Sequence, residues 1–332
     1  MPYSLIGSRS RMILEVVAGL ALILSTILCI ALICLLATTH GTTMSRRYRI
    51  LLGSIQIHAY TIEVGAYFLL HPIPLVPLSC FHFDSWVLHL LGFDGHVLFV
   101  IFLTYFLLIT IPYGLCFTYR HQMIQAPHSV FKFRSCTITI AFSIYAAFVC
   151  SAGVFTEVFH TSKRETTELL SNTFGDEIES SLLEQTNCYK LVNPALYFAT
   201  ASILFAICAL FVSAVTGHIF YILHHQNYAS HEKRRQYWNW MKMLLFQATA
   251  PFAVIAIPCS ILNIQFVCRI GEPALAGAAI AMLMFHSSSY SIVVILTTAQ
   301  YRQRVIGCLC YWRRATSVVE ATDNYTTSRH QD

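Results

Sequence analysis

Seven apolar stretches of bilayer-spanning length, a scarcity of charge within them, and Lys and Arg gathered on alternate connections predict an all-α fold. That fold is a seven-transmembrane helix bundle with its N-terminus outside and its C-terminus cytoplasmic. Of the 332 residues, 56% are hydrophobic and only 11% charged, and the mean hydropathy is +0.60. Soluble domains carry about a quarter charged residues, so this balance excludes a soluble enzyme. Helices are the default because a lone segment in hydrocarbon must satisfy its own backbone hydrogen bonds. No long linker, repeat or low-complexity block divides the chain. One bundle domain, residues 16–299, therefore follows a short extracellular N-terminus, residues 1–15, and precedes a cytoplasmic tail, residues 300–332, with room for a short interfacial helix.

The first stretch runs from Val16 to Thr38, long for a cleaved leader and followed by Arg46, Arg47 and Arg49, so it is read as retained. The second, Ile50 to Leu70, carries Glu63 and stops at Pro72, Pro74 and Pro77, which lack the N–H groups a helix needs. The third, His96 to Phe117, is preceded by Asp94 and followed by Tyr119 and Arg120. The fourth, Cys136 to Thr156, leads into the one long connection, which is acidic. The fifth runs from Ala195 to Leu223, and the sixth, Met243 to Phe266, contains Pro251 and Pro258 and is expected to kink. The seventh, Ala274 to Ala299, contains no Lys, so a retinal Schiff base has no attachment point there.

Orientation follows from the basic residues. Of the 21 Lys and Arg, the connections and tail on one side carry three, three, four and five, fifteen in all, and the other side carries six. Excess Lys and Arg marks the cytoplasmic face. That basic face also suits anionic membrane lipids.

Of twelve cysteines, only Cys80 and Cys188 clearly face outward on this topology. They could close a bridge that ties the long loop over the bundle mouth, the alternative being free thiols or other pairings. Cys308 and Cys310, just past the seventh stretch, are candidates for palmitoylation or for unmodified cytosolic thiols. Among polar groups, Glu63 is the one acidic residue deep in a stretch, about 20 Å along its helix. It could face a ligand or serve as a neutral structural carboxyl. Asp94, His96, Asn263 and His286 could line the same cavity, although packing alone accounts for each. His58 reads as structural. No HExxH, paired CxxC, P-loop or GxSxG motif occurs, and the lone CxC lacks further ligands. The sequence therefore calls for no catalysis, metal or cofactor, and nothing in it suggests nucleic acid. Matched halves of the kind transporters carry are absent too.

From Arg47 the chain reads RYRILLGSIQIHAYTIEVGAYFLLHPIPLVPLSC, after the third stretch CFTYRHQMI, and at the exit of the seventh TTAQYRQRV. This resembles the nematode serpentine chemoreceptors of class I and class H in the Str superfamily. Those families share a P-x-P-x-x-P run, matched by Pro72, Pro74 and Pro77, and a basic R-x-H-Q stretch, approximated by Arg120, His121 and Gln122. Gln300 stands in the proline position of their P-Y-R ending. The resemblance spans about Arg47 to Arg304. It implies a chemosensory G-protein-coupled receptor in the plasma membrane of a sensory neuron's cilium, serving olfaction, with a small external chemical as ligand and a heterotrimeric G protein as partner. Rhodopsin-type D-R-Y, C-W-x-P and N-P-x-x-Y signatures are missing, so switch residues cannot be carried over from that family. Arg120 and Tyr119, immediately past the third apolar stretch, are the expected coupling residues. A ligand-gated channel subunit with an inside N-terminus, or a transporter, is the rival reading.

Overall fold

The computed structural model describes residues 8–38, 45–76, 78–83, 85, 87, 90, 92, 94–125, 128–174, 185–189, 194–225 and 231–308. All seven apolar stretches fall on helix. In chain order the elements are α1 (Ser8–Thr38), α2 (Arg46–Val64) with a π-helical turn (Gly65–Leu70), β1 (Pro72–Leu75), β2 (Cys80–Phe83), α3 (Gly95–Leu108), α4 (Thr110–Ile124), α5 (Ser135–Phe155), a 3-10 turn (Thr156–Phe159), α6 (Lys163–Phe174), β3 (Thr186–Cys188), α7 (Pro194–His225), α8 (His231–Cys268), α9 (Pro273–Leu283) and α10 (His286–Thr297). The chain is helical again from 299 to 308.

Three described helices are long and apolar enough to cross a bilayer: Met12–Thr38, Gly95–Ile124 and Arg234–Cys268. The pair α9 and α10, bent by 43° at Met284–Phe285, makes a fourth when counted as one span. Shorter apolar helical segments run Ser135–Ser151 and Leu210–His225. In its 19 residues α2 includes three arginines as well as Gln56, His58 and Glu63, and so reads as too polar by composition alone. The helices close into a ring: α1 packs on α2 and α10, α2 on α4, α4 on α7, α7 on α8, and α8 on both α9 and α10. The largest buried core, which includes Leu52, Phe117, Leu223, Leu244 and Tyr290, lies inside that ring.

Local chemistry explains where several helices begin and end. Ser45 caps α2 by accepting from the Tyr48 N–H at 3.3 Å, and Asp94 caps α3 through its Oδ1, 2.8 Å from the His96 N–H. Pro273 opens α9, a position where its missing N–H costs nothing. The π turn ends at His71, whose φ of 40° is left-handed, a conformation common at helix C-termini, and the following Pro72 disfavours a return to the right-handed helix.

The prolines that stop the second helix enter a small antiparallel sheet of order β1-β2-β3. Pro72 and Pro74 sit on β1, an edge strand, where an absent N–H donor is tolerated. Pro77 lies outside the described residues. In the β2–β3 register Cys80 faces Cys188, and a disulfide joins them across 108 positions of sequence. The sheet covers one end of the bundle as a lid. Arginines mark the opposite, basic end, where Arg49 donates to the Leu36 carbonyl at 3.2 Å and Arg304 to Thr38 at 3.1 Å.

Helix α1 begins at Ser8, ahead of the first apolar stretch. The sixth stretch, with Pro251 and Pro258, lies within one helix of 38 residues, and a sharp break falls in the proline-free middle of the seventh.

Candidate functional site

At the basic end, α4 carries Arg120 into the ring, where it is only 6% exposed. Its guanidinium carbon stands 3.8 Å from the centre of the Tyr48 ring on α2 and 4.9 Å from that of Trp240 on α8. No carboxylate pairs with Arg120 among the described residues, so the aromatic faces supply its electrostatic complement. Each desolvated contact of this type is worth about 1–2 kcal/mol. Tyr119, one residue earlier, stacks on Tyr48 with ring centres 6.0 Å apart, and its hydroxyl lies 2.5 Å from Ser45 Oγ. Tyr48 in turn donates to Gln247 of α8 at 3.3 Å, and Gln247 donates to Thr297 of α10 at 3.0 Å. Arg120 is therefore the centre of a clasp joining four helices.

Along α2 the positions 48, 52, 56, 59 and 63 recur at intervals of three or four residues, so they share one face. That face meets the serines of α10. Gln56 donates to Ser287 Oγ at 2.9 Å and accepts from Ser291 Oγ at 2.8 Å, while Ser25 of α1 and Ser288 share a hydrogen bond of 2.5 Å. The break between α9 and α10 leaves the first N–H groups of α10 without partners in their own helix, and Phe285 at the cap position offers no side-chain acceptor. Glu63 fills that role from α2: its Oε1 accepts the Ser287 N–H at 2.5 Å. Glu63 is 1% exposed, and its Oε2 closes no hydrogen bond, Ser25 being the neighbouring hydroxyl. His286, also fully enclosed, has neither ring nitrogen bonded.

At the lid end, His96 and His160 stack face to face with ring centres 3.6 Å apart and planes 3° from parallel. His96 Nδ1 lies 3.2 Å from the Tyr189 hydroxyl, and His160 Nε2 lies 3.3 Å from Asn187 Oδ1. These contacts bind the start of α3 to β3. Gly95 is required here, since a Cβ would come within 2.8 Å of the Phe83 ring. Beside the lid a cleft of about 50 Å³ opens between α1, the π turn, β1 and α9, with Ala18, Ala66, Tyr67, His71, Ala281 and Met284 in its walls.

The sequence candidates thus part company. Glu63 and His286 meet at the broken seventh helix, Asp94 and His96 hold the lid, and half-buried Asn263 stands apart on α8. His58 stacks on Tyr105 with ring centres 4.6 Å apart. Cys308 is an exposed thiol, and Cys310 lies outside the described residues. Sequence reasoning passed over Tyr48, Trp240, Gln56, the serines of α10 and the cleft residues Glu15, Tyr67 and His71. The run SSSYS at 287–291 and the polar face of α2 were the signals available for the middle group. For the cleft there was none, because it is assembled from four separate elements.

The family model described as serpentine type 7TM GPCR chemoreceptor Sri matches residues 12–305, which takes in the clasp, the polar face and the lid. No curated protein matches the chain. With nearly its whole length matched, the chain belongs to the Sri family of serpentine 7TM chemoreceptors, a family of receptors rather than enzymes.

Proposed function

We propose that this chemoreceptor crosses the plasma membrane seven times, with the lid outside and the basic end in the cytosol, and that a small external chemical drives it to activate a heterotrimeric G protein. The observation that carries this reading is the Arg120 clasp. The enclosed arginine is held closed by rings from two other helices, and its release would be the second arrangement that a switch requires. A ligand at the lid end reaches the clasp through the α2–α10 contacts: Glu63 to Ser287, Gln56 to Ser291, then Tyr48 to Gln247 to Thr297. Release of Trp240 from Arg120 moves the basic end of α8 and uncovers a surface for the G protein. Tyr119 supports the clasp by fixing Tyr48 and Ser45. A sensory cilium is the setting that fits a chemoreceptor, and Cys308 with Cys310 could carry a lipid anchor beside the basic end.

Arg120→Lys and Arg120→Ala test the clasp. Lysine keeps the charge but loses the planar face that packs between two rings. Ligand-stimulated G-protein activation should fall with Lys and fall further with Ala, at equal surface expression and with ligand binding retained. Full activation by Arg120→Lys would reduce Arg120 to a headgroup anchor. Responses that persist in cells lacking the Gα subunit would favour a channel or a transporter.

A further inference from the structure

We infer that the receptor also senses acid outside the cell, and that its sensor is the stacked pair His96 and His160, which latches the lid while at most one ring is protonated and releases it when both are. The latch stands on the structure of the lid. That the acid is external rests on the orientation proposed above.

The pair joins segments that are far apart in sequence. His96 is the second residue of α3, and His160 follows the 3-10 turn after α5. Both rings are held from the β3 end, His96 Nδ1 by the Tyr189 hydroxyl at 3.2 Å and His160 Nε2 by Asn187 Oδ1 at 3.3 Å. A backbone bridge pairs His160 with Tyr189, and the Thr161 N–H donates to the Cys188 carbonyl at 2.9 Å. The ring centres, 3.6 Å apart, are closer than the about 4.5–7 Å common for aromatic pairs. Such a stack suits two neutral rings, or one charged ring on a neutral one. Two cations at that distance repel far beyond thermal energy, and His96, 2% exposed, has little water to screen them.

The surroundings do not relieve that repulsion. Asp94 is the nearby anion at the head of α3, and its Oδ1 is committed to the His96 backbone N–H at 2.8 Å. On α6, Lys163 brings its ammonium within 3.5 Å of the Asn187 oxygen that holds His160, while Glu165 and the Arg164–Glu168 pair are exposed to solvent. His82 of β2 lies 3.3 Å from the Thr186 hydroxyl and adds positive charge in acid. A second ring cation therefore meets more positive charge than negative.

Proton counting gives the direction. Imidazoles take up protons as the pH falls through about 6.5. A shut lid leaves one proton at most on the pair, and an opened lid gives each ring its own. Opening therefore takes up a proton, so the latch holds above about pH 6.5 and its open fraction rises by about tenfold for each pH unit below. The Cys80–Cys188 bond keeps β3 tied to β2, so acid swings the lid without detaching it.

The experiment is hydrogen exchange read by mass spectrometry on the full-length receptor in lipid nanodiscs, from about pH 7.5 to 5, corrected for the intrinsic pH dependence of amide exchange. Amides in segments 94–99 and 186–189 should lose protection about tenfold or more at the acid end, and those around Arg120 should not. His96→Phe and His160→Phe keep a flat ring and remove a proton site. Each variant that folds, as judged by its thermal unfolding midpoint at neutral pH, should hold its protection in acid, and His82→Gln should remain acid-sensitive. Unchanged protection in the wild type overturns the inference without any variant. Loosening that persists in a folded Phe variant, or that disappears in His82→Gln, overturns it equally. In cells the proton is the probe: an external step to about pH 5.5 should change G-protein activation by the wild type and leave His160→Phe unmoved. A lid that opens in nanodiscs while cells ignore the step would overturn the sensor role. A response to acid from the cytosolic side alone would overturn the proposed orientation instead.

Discussion

Glu63 shows how a buried carboxyl can be structural without an ion pair. Its oxygen caps a helix that begins in the middle of the bundle, where Phe285 offers no acceptor and water has no easy access. The amide oxygen of glutamine can accept the same N–H. Glu63→Gln should therefore change ligand potency less than threefold and shift folding stability by under about 1 kcal/mol, whereas Glu63→Leu leaves the Ser287 N–H unpaired and should cost about 1–3 kcal/mol. Dose-response curves and thermal unfolding of the solubilised receptor measure both. A tenfold potency loss in Glu63→Gln at normal expression would instead make the charge part of ligand recognition. The residue was legible as an anomaly, since a lone acid in an apolar stretch asks for a partner. Its partner was not, because a backbone N–H freed by a helix break leaves no mark in the sequence. Arg120 divides in the same way: its place after the third stretch is plain, but Tyr48 and Trp240 lie 72 and 120 positions away and meet it only in the folded ring.

Among the elements, the lid depends on a covalent tie. The strands β1 to β3 are three or four residues long, too short to hold the long connection by hydrogen bonds alone, and the Cys80–Cys188 bond fixes the β2–β3 register. Cys80→Ser, Cys188→Ser and the double variant should each lose about 2–5 kcal/mol and reach the cell surface in reduced amount. Surface labelling quantifies that loss, and peptide mass spectrometry under alkylating conditions checks the bond itself; two free thiols in the wild type would remove the premise. The equality of single and double variants matters, because it separates loss of the bond from damage by either serine. The cysteines could be paired by exclusion in the sequence, whereas the sheet around them could not be read from two prolines and an aromatic run. The break in the seventh helix had no such signal: proline rings mark bends where hydrogen bonds are deleted, but here Glu63 and the α10 serines stabilise a break that no proline requires.

For the whole molecule, the apolar pattern was sufficient to locate every long helix, since lipid forces each segment to close its own backbone bonds. It could not supply the packing order or the cleft, which depend on how small residues let helices approach. The proposed orientation makes a simple prediction. Asn324, Tyr325 and Thr326 form a glycosylation sequon in the tail. With that tail in the cytosol, glycosidase treatment should leave electrophoretic mobility unchanged, and a tag on the N-terminus should be stained on intact cells. A shift abolished by Asn324→Gln would invert the topology. The 38 residues of α8 have one more implication. At about 1.5 Å per residue the helix is about 57 Å long, close to twice the roughly 30 Å of hydrocarbon it has to cross. On the proposed topology the part of α8 before Met243 projects into the cytosol as a rigid lever whose pin is Trp240. From Trp240 to the tip at His231 the arm is nine residues, about 14 Å, so a tilt of about 10° carries the tip roughly 2 Å, and the clasp and the end of the lever turn as one rigid body.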